Sequence, residues 1–171
     1  GKEEHPTTSQ VTPAAWSEVM EQVVENGDTA VVITISSKLS GTYQSACIAA
    51  EDFEGKVYVV DSMTATIGER LLLLYGVRLA ADGMDAAAIA QRLDEVKSRI
   101  RLYGRIDTLE YLKKGGRISA ATAVVGTMLN IKPIISVQNG VVENVGKARG
   151  PKAADKQLRD LIAKSGGIDF S

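Results

Sequence analysis

The stretch from Thr29 to Ile35 places the strongest constraint on the fold. It is a largely β-branched run of strand length, and it lacks the polar alternation of a strand with one face in water. Such a run is typical of a strand that lies centrally in a parallel sheet. A helical segment from about Gly41 to Asp52 and a second buried strand, Lys56 to Val60, follow it. The order strand, helix, strand predicts a right-handed crossover, so the first half is α/β with a parallel sheet.

Helix signals flank this unit on both sides. Thr12 is expected to cap a first helix that begins at Pro13, because proline is favoured at the first helical position. Two further helices are predicted after the second strand, over Ile67 to Ala81 and Ala86 to Ile100. The segment between them, Asp82 to Asp85, provides a glycine that can stop one helix and an aspartate that can cap the next.

The second half follows a different pattern, with short elements of both kinds. The predicted elements are a strand over Ile100 to Ile106, a helix over Thr108 to Lys114, a turn at Gly115-Gly116-Arg117, a helix over Ala120 to Leu129 and a closing helix over Lys152 to Lys164. A hairpin is predicted between Lys132 to Val137 and Val141 to Val145, because Asn139-Gly140 is a strong tight-turn signal. The change of pattern near residues 99 to 104 predicts an α/β domain over residues 1–100 and a smaller α+β domain over residues 101–171.

Composition excludes several classes of function. The chain has 44% hydrophobic and 24% charged residues and a net charge of −1, so it is expected to be a soluble globular protein without the charged field that binds nucleic acid. Its apolar runs fall far short of the roughly 20 residues that span a bilayer. The first residues lack a secretory pattern, so a cytoplasmic location is expected. Cys47 is the one cysteine, and its apolar surroundings predict a small buried side chain.

Hydroxyl side chains crowd the segment that follows the first strand. Ser36, Ser37, Ser40 and Thr42 lie between the end of that strand and the start of a helix, where ligands bind in open α/β sheets. Together with amides freed by Gly41 at the helix start, they would form a neutral site for a carboxylate or a phosphate. Simple helix capping explains the same residues, and from spacing alone both interpretations stay open.

A second polar cluster, Thr7-Thr8-Ser9-Gln10, comes just before the first helix. If the two loops face one another, its hydroxyls would converge with Ser40. An ordinary N-terminal turn is the alternative, since serine and threonine are common before helices.

Five segments of the chain carry a family resemblance. They are Thr8-Ser9-Gln10, Ser36 to Ala46 (SSKLSGTYQSA), Val60-Asp61-Ser62, Tyr111 to Ile118 (YLKKGGRI) and Asn130 to Ile135 (NIKPII). In these segments, which cover nearly the whole chain in family order, the sequence resembles the DegV family of fatty-acid-binding proteins. The resemblance is to the type that forms the binding subunit of a fatty acid kinase.

The resemblance implies a two-domain α/β lipid-binding protein with an apolar tunnel between the domains. A long-chain fatty acid such as palmitate would lie in the tunnel, with no metal, no other cofactor and no catalytic residue of the protein's own. Its carboxylate would be held by hydroxyls and backbone amides at six positions: Thr8, Ser9, Ser37, Ser40, Gly41 and Thr42. An ATP-dependent kinase subunit is the implied partner, and it would receive the bound acid for acyl phosphate formation.

The chain also departs from the family pattern. Members usually begin with about one more strand and helix that carry an aspartate-serine motif, and they continue into a segment with a histidine near the carboxylate. Neither segment is present in these 171 residues, so both predicted domains are expected to be incomplete. Val11 stands where a proline usually follows the threonine-serine-glutamine motif, and Gly150 stands where threonine commonly follows Arg149.

Other residues leave further hypotheses open. Arg117 and Arg149 are candidates to contact a partner or phosphate, although a basic helix end and a solvated strand end are the favoured explanations. The alternative function is a phosphoryl- or acyl-transfer enzyme that uses the loop from Ser36 to Thr42, with Ser40 as nucleophile. A purely structural interaction module is a third hypothesis. His5, the lone histidine, lies in a polar leader and is not expected to be catalytic, nor do Asp107 and Glu110 suggest an acid/base pair.

Overall fold

The computed structural model describes residues 7–118 and 130–167. His5 and the predicted helix over Ala120 to Leu129 lie outside the described residues. The contacts of the chain group into two compact units, Gly1–Ile100 and Arg101–Ser171, each with its own sheet. Within the described ranges, no helix is long and apolar enough to cross a bilayer.

The first unit is an α/β layer structure. Its elements are α1 (Pro13–Glu25), β1 (Ala30–Thr34), α2 (Thr42–Ala50), a 3-10 turn (Glu51–Phe53), β2 (Val57–Asp61), α3 (Ile67–Ala81), α4 (Ala86–Val96) and a second 3-10 turn (Lys97–Arg99). Strands β1 and β2 pair in parallel from Ala30 opposite Val57 to Thr34 opposite Asp61. The predicted parallel βαβ unit is therefore present.

Two apolar clusters cover the two faces of this sheet. One joins β2 to α3 and α4 and contains Val60, Leu72, Leu79, Ile89 and Leu93. The other joins β2 to α1 and α2 and contains Met20, Ala46, Ala49 and Val57. Successive side chains of a strand point to opposite faces, and along β1 Val31 packs on the first cluster while Val32 packs on the second. Both faces are covered, which explains why the strand sequence lacks polar alternation.

The predicted central place of β1 is not what the described residues show. Among residues 7–118 and 130–167, β1 pairs with β2 alone, and its side chains from Ala30 to Ile33 are half-buried. An apolar, unbroken sequence indicates that both faces of a strand are covered. It does not indicate whether both edges are paired, because edge pairing uses backbone groups that every residue has.

Local signals at the helix ends act as predicted. Thr12 accepts a hydrogen bond from the Ala15 N–H, and Asp85 accepts one from the Ala88 N–H at 2.9 Å. Gly83 has a φ of +86°, a conformation that glycine adopts without strain, and it follows Asp82, the C-terminal cap of α3.

The second unit is α+β, as predicted. Its elements are β3 (Leu102–Arg105), α5 (Glu110–Lys114), β4 (Ile131–Gln138), β5 (Val141–Arg149) and α6 (Pro151–Lys164). The three strands form an antiparallel sheet in the order β3-β4-β5. Asn139 and Gly140 connect β4 to β5 with φ values of +50° and +82°, so the predicted tight hairpin is confirmed.

Candidate functional site

The carboxyl ends of β1 and β2 lie side by side, and the loops that leave them are hydrogen-bonded to each other. The Ser36 N–H donates to the Thr64 carbonyl at 2.9 Å, and the Ser62 N–H donates to the Thr34 carbonyl at 3.2 Å. The Asp61 carboxylate, at the end of β2, accepts from the Ser37 N–H at 3.2 Å. The loop of hydroxyl side chains is therefore fixed to the neighbouring strand end, at the edge where open α/β sheets bind ligands.

Ser36 organises the first half of this loop from a fully buried position. Its carbonyl accepts from the Leu39 N–H at 2.9 Å and from the Ser40 N–H at 3.2 Å, and its hydroxyl accepts from the Lys38 N–H at 3.2 Å. The backbone amides of residues 37 to 40 are thus used inside the protein. A ligand at this loop would have to bind to side-chain hydroxyls or to backbone amides that come later in the chain.

Ser40 and Thr42 form a pair of hydroxyls at the start of α2. Their oxygens are 2.9 Å apart, the Thr42 N–H donates to Ser40 Oγ at 3.3 Å, and the Val11 N–H donates to Thr42 Oγ1 at 3.3 Å. When the Thr42 hydroxyl donates to Ser40 Oγ, the Ser40 oxygen accepts two hydrogen bonds and its own O–H remains available as a donor. The pair can therefore present one O–H to a ligand acceptor.

Backbone donors at the start of α2 add to this hydroxyl. Among the hydrogen bonds of the described residues, the N–H groups of Gly41, Tyr43 and Gln44 have no acceptor, as expected for the first turn of a helix. Unpaired N–H groups and the helix dipole together favour a negative charge at this end. The site can therefore hold an anion with neutral donors.

Gln10 covers this helix start. Its side-chain amide donates to Ser45 Oγ at 3.2 Å, and a Cβ at Gly41 would collide with Gln10 Oε1. Gly41 has an ordinary φ of −70°, so it supplies room for Gln10 and no special backbone conformation. Gln10 belongs to the threonine-serine-glutamine segment, but no pattern in the sequence indicated that its side chain reaches α2.

Replacing Gly41 by alanine is expected to displace Gln10 and to lower the free energy of unfolding by less than about 1 kcal/mol, because the end of an exposed glutamine can move at little cost. Thermal unfolding of Gly41→Ala, Gln10→Ala and the double variant measures the change in the free energy of unfolding. With Gln10 already truncated, the added methyl should cost almost nothing. An equal cost in both backgrounds would show that the contact with Gln10 is not the reason for glycine.

The other predicted site residues lie as follows. Thr8 and Ser9 are exposed, and it is Gln10 and Val11 that bond to α2. The convergence of the Thr8 and Ser9 hydroxyls with Ser40 stays a prediction. Ser37 is exposed, and its N–H donates to the Asp61 carboxylate.

The two candidate arginines lie in the second unit. Arg117 is exposed after α5, and its guanidinium donates to the Gly115 carbonyl. Arg149 is exposed at the end of β5, opposite Ile131. Asp107 and Glu110 pair with different lysines, Lys132 and Lys114, both at 2.6 Å. A hydrogen bond from the Lys132 ammonium lowers the pKa of Asp107, and the two carboxyls have separate partners.

The prediction that Cys47 is buried is wrong. Its side chain is half-buried and lines an open groove of about 580 Å³ beside the outer edge of β2. A hydrogen bond with Cys47, aided by burial, raises the pKa of Tyr43 to about 12. The apolar neighbours of Cys47 in the sequence did not indicate that the face of α2 carrying this residue is open. Among residues 7–118 and 130–167, no three metal-binding side chains cluster.

Comparison with known proteins assigns the chain to a family. The family model described as "Uncharacterised protein, DegV family" matches residues 1–168. A DegV domain-containing protein from Caldanaerobacter subterraneus subsp. tengcongensis is 37% identical over 167 residues, which are 97% of this chain and 59% of that protein. The chain spans about three fifths of the length of the curated relatives it matches.

Solved structures give the same picture. The chain is similar to a Thermus thermophilus DegV family protein whose structure is described as showing fatty acid binding, with a TM-score of 0.84 and 38% identity over 95% of this chain and 58% of that one. It is also similar to a protein from Eubacterium ventriosum described as binding stearic acid, with a TM-score of 0.82 and 27% identity over 93% of this chain and 56% of the other.

Proposed function

Because the chain belongs to the DegV family, we propose that it binds a long-chain fatty acid and holds the carboxylate at the start of α2. The observation that carries the proposal is the set of neutral donors there: the Ser40 hydroxyl, supported by Thr42, and the N–H groups of Gly41, Tyr43 and Gln44. Two similar proteins, from Thermus thermophilus and Eubacterium ventriosum, are described as binding fatty acids, which supports the ligand class.

The energetics suit such a ligand. Each buried methylene of an acyl chain contributes about 0.8 kcal/mol, so a chain in an apolar tunnel provides affinity without a charged partner for the head group. Hydrogen bonds from neutral donors to the carboxylate then set the orientation, and each is worth about 1.5–3 kcal/mol because the acceptor is charged. Thr8, Ser9 and Ser37 complete the proposed head-group set, with palmitate as the proposed acid.

The proposed role is that of a carrier. Ser40 contacts Thr42, and among the described residues no ionisable side chain hydrogen-bonds to the Ser40 hydroxyl to act as a base. A carboxylate held by neutral donors keeps an oxygen that an ATP-dependent kinase subunit could phosphorylate, and we include such a partner in the proposal. Arg117 and Arg149 are the proposed partner contacts, and the cytoplasm is the proposed location.

A phosphate ligand is the second candidate, favoured by the same unpaired N–H groups at a helix start. It predicts binding of inorganic phosphate or a phosphorylated substrate in place of an acid with a long apolar tail. In an enzyme of this kind, turnover of an acyl or phosphoryl substrate would disappear in Ser40→Ala.

Native mass spectrometry of the freshly purified protein tests the carrier. We expect an added mass in the range of a long-chain fatty acid that is lost on denaturation, since burial of the chain slows its release. Extraction and chromatography would identify the acid. Folded protein that carries no such mass and takes up no added palmitate would contradict the proposal.

A further inference from the structure

We propose that Asp61 is a positioning residue for the head-group site, an inference that rests on the proposed fatty-acid function. Asp61 is the last residue of β2 and is only 8% exposed. One of its carboxylate oxygens, Oδ1, accepts the Ser37 N–H at 3.2 Å and the Met63 N–H at 2.9 Å. A single atom therefore joins the loop after β1 to the loop after β2, across 24 residues of sequence.

The bond to Ser37 determines where Ser40 lies. Ser37 directly follows Ser36, whose carbonyl accepts the Leu39 and Ser40 N–H groups. Ser40 Oγ in turn accepts the Thr42 N–H at the first residue of α2. Hydrogen bonds, together with the peptide link between Ser36 and Ser37, thus connect the donors of the proposed site to Asp61. Release of Ser37 would let the turn move while β1 and α2 remain formed.

The hydrogen bond from the Met63 N–H to Asp61 stabilises the loop after β2. Met63 has a φ of +52° and Thr66 has a φ of +50°, and such left-handed backbone is costly for residues other than glycine. The hydrogen bond from the Met63 N–H to Asp61 offsets part of this cost within a loop whose Ser62 and Thr64 are buried. The loop after β2 can then hold Ser36 in place through the Thr64 carbonyl.

The carboxylate chemistry of Asp61 also suits a positioning role. A carboxylate oxygen accepts two N–H bonds more strongly than a neutral oxygen does, because charge-assisted hydrogen bonds are shorter and stronger. Asp61 also occupies the Ser37 N–H. The backbone donors left to the ligand carboxylate are thereby those at the start of α2, which no acidic side chain occupies among the described hydrogen bonds.

The test compares stearic acid with stearyl alcohol, which has the same chain and no carboxylate. In the full chain, Asp61→Ala is expected to weaken binding of the acid by about tenfold and to leave binding of the alcohol nearly unchanged. The reason is that the substitution displaces only the donors that bind the carboxylate. Asp61→Asn keeps an Oδ1 acceptor and should retain most of the preference for the acid. Leu79→Ala, which destabilises the core of the same unit, should retain the preference in full.

The outcomes are distinct. If Asp61→Ala weakens acid and alcohol equally, or if Asp61→Asn loses the preference as fully as Asp61→Ala does, the positioning role is overturned. If Asp61→Ala does not fold, Asp61→Glu moves the same oxygen by one methylene, and an unchanged preference there overturns the role. A wild-type protein that binds the acid no better than the alcohol overturns the head-group proposal itself, and this one with it.

Discussion

Ser40→Ala is expected to weaken binding of palmitate by about 10- to 100-fold, the largest functional effect of any single hydroxyl in the proposed site. When the Thr42 hydroxyl donates to Ser40 Oγ, the Ser40 O–H is left to bond to a charged acceptor. Its removal also takes away the acceptor of the Thr42 N–H, so the start of α2 loses a second constraint. Titration calorimetry with palmitate, after extraction of any bound acid, measures the change.

Ser98→Ala is the matched control for this variant. Ser98 is an exposed serine on the 3-10 turn that follows α4, so its removal should leave the affinity unchanged. The free energy of unfolding of Ser40→Ala should fall by no more than about 1 kcal/mol, because the residue is only half-buried. Unchanged palmitate affinity in folded Ser40→Ala would show that this hydroxyl does not bind the carboxylate.

Leu72→Ala is expected to lower the free energy of unfolding by about 2–5 kcal/mol, which is among the largest stability effects of a single truncation in the first unit. Leu72 is 1% exposed and lies in the cluster that joins β2 to α3 and α4. Truncation removes apolar contacts and leaves a cavity that the sheet and helices around it fill only in part. Urea unfolding followed by circular dichroism measures the change.

Leu73→Ala provides the same change in chemistry one residue further along α3. Leu73 is 50% exposed, so its truncation should change the free energy of unfolding by less than about 1 kcal/mol. Equal losses in the two variants would contradict the assignment of the buried face of α3. The comparison is informative because helix propensity and side-chain size are the same at both positions.

Much of the fold could be predicted from the sequence because its signals are local. Thr12 and Asp85 cap helices whose N–H groups lie three residues away, and Asn139-Gly140 turns the hairpin with its own two residues. The bounds of α3, Ile67–Ala81, agree with the prediction. The family assignment was also confirmed, because it rests on motifs spread along the chain.

The candidate site was predictable only in part. The position of Ser40, Gly41 and Thr42 at a strand end and helix start followed from the order of elements. The sequence did not indicate that Val11 would bond to Thr42, that Gln10 would cover Gly41 or that Cys47 would line a groove. The first of these contacts joins residues 31 positions apart, and no local pattern encodes such a separation.

Within the part of the chain that the structure describes, the sequence by itself determined which strands and α-helices form, where most of them begin and end, and which residue types stand at the loop after β1. Only the tertiary structure decided how the two strand-end loops meet. Asp61 reaches Ser37 because β1 and β2 pair in a register that places Thr34 opposite Asp61. That register results from packing on both faces of the sheet, a property of many residues together, whereas a cap or a turn depends on a few neighbours in the chain.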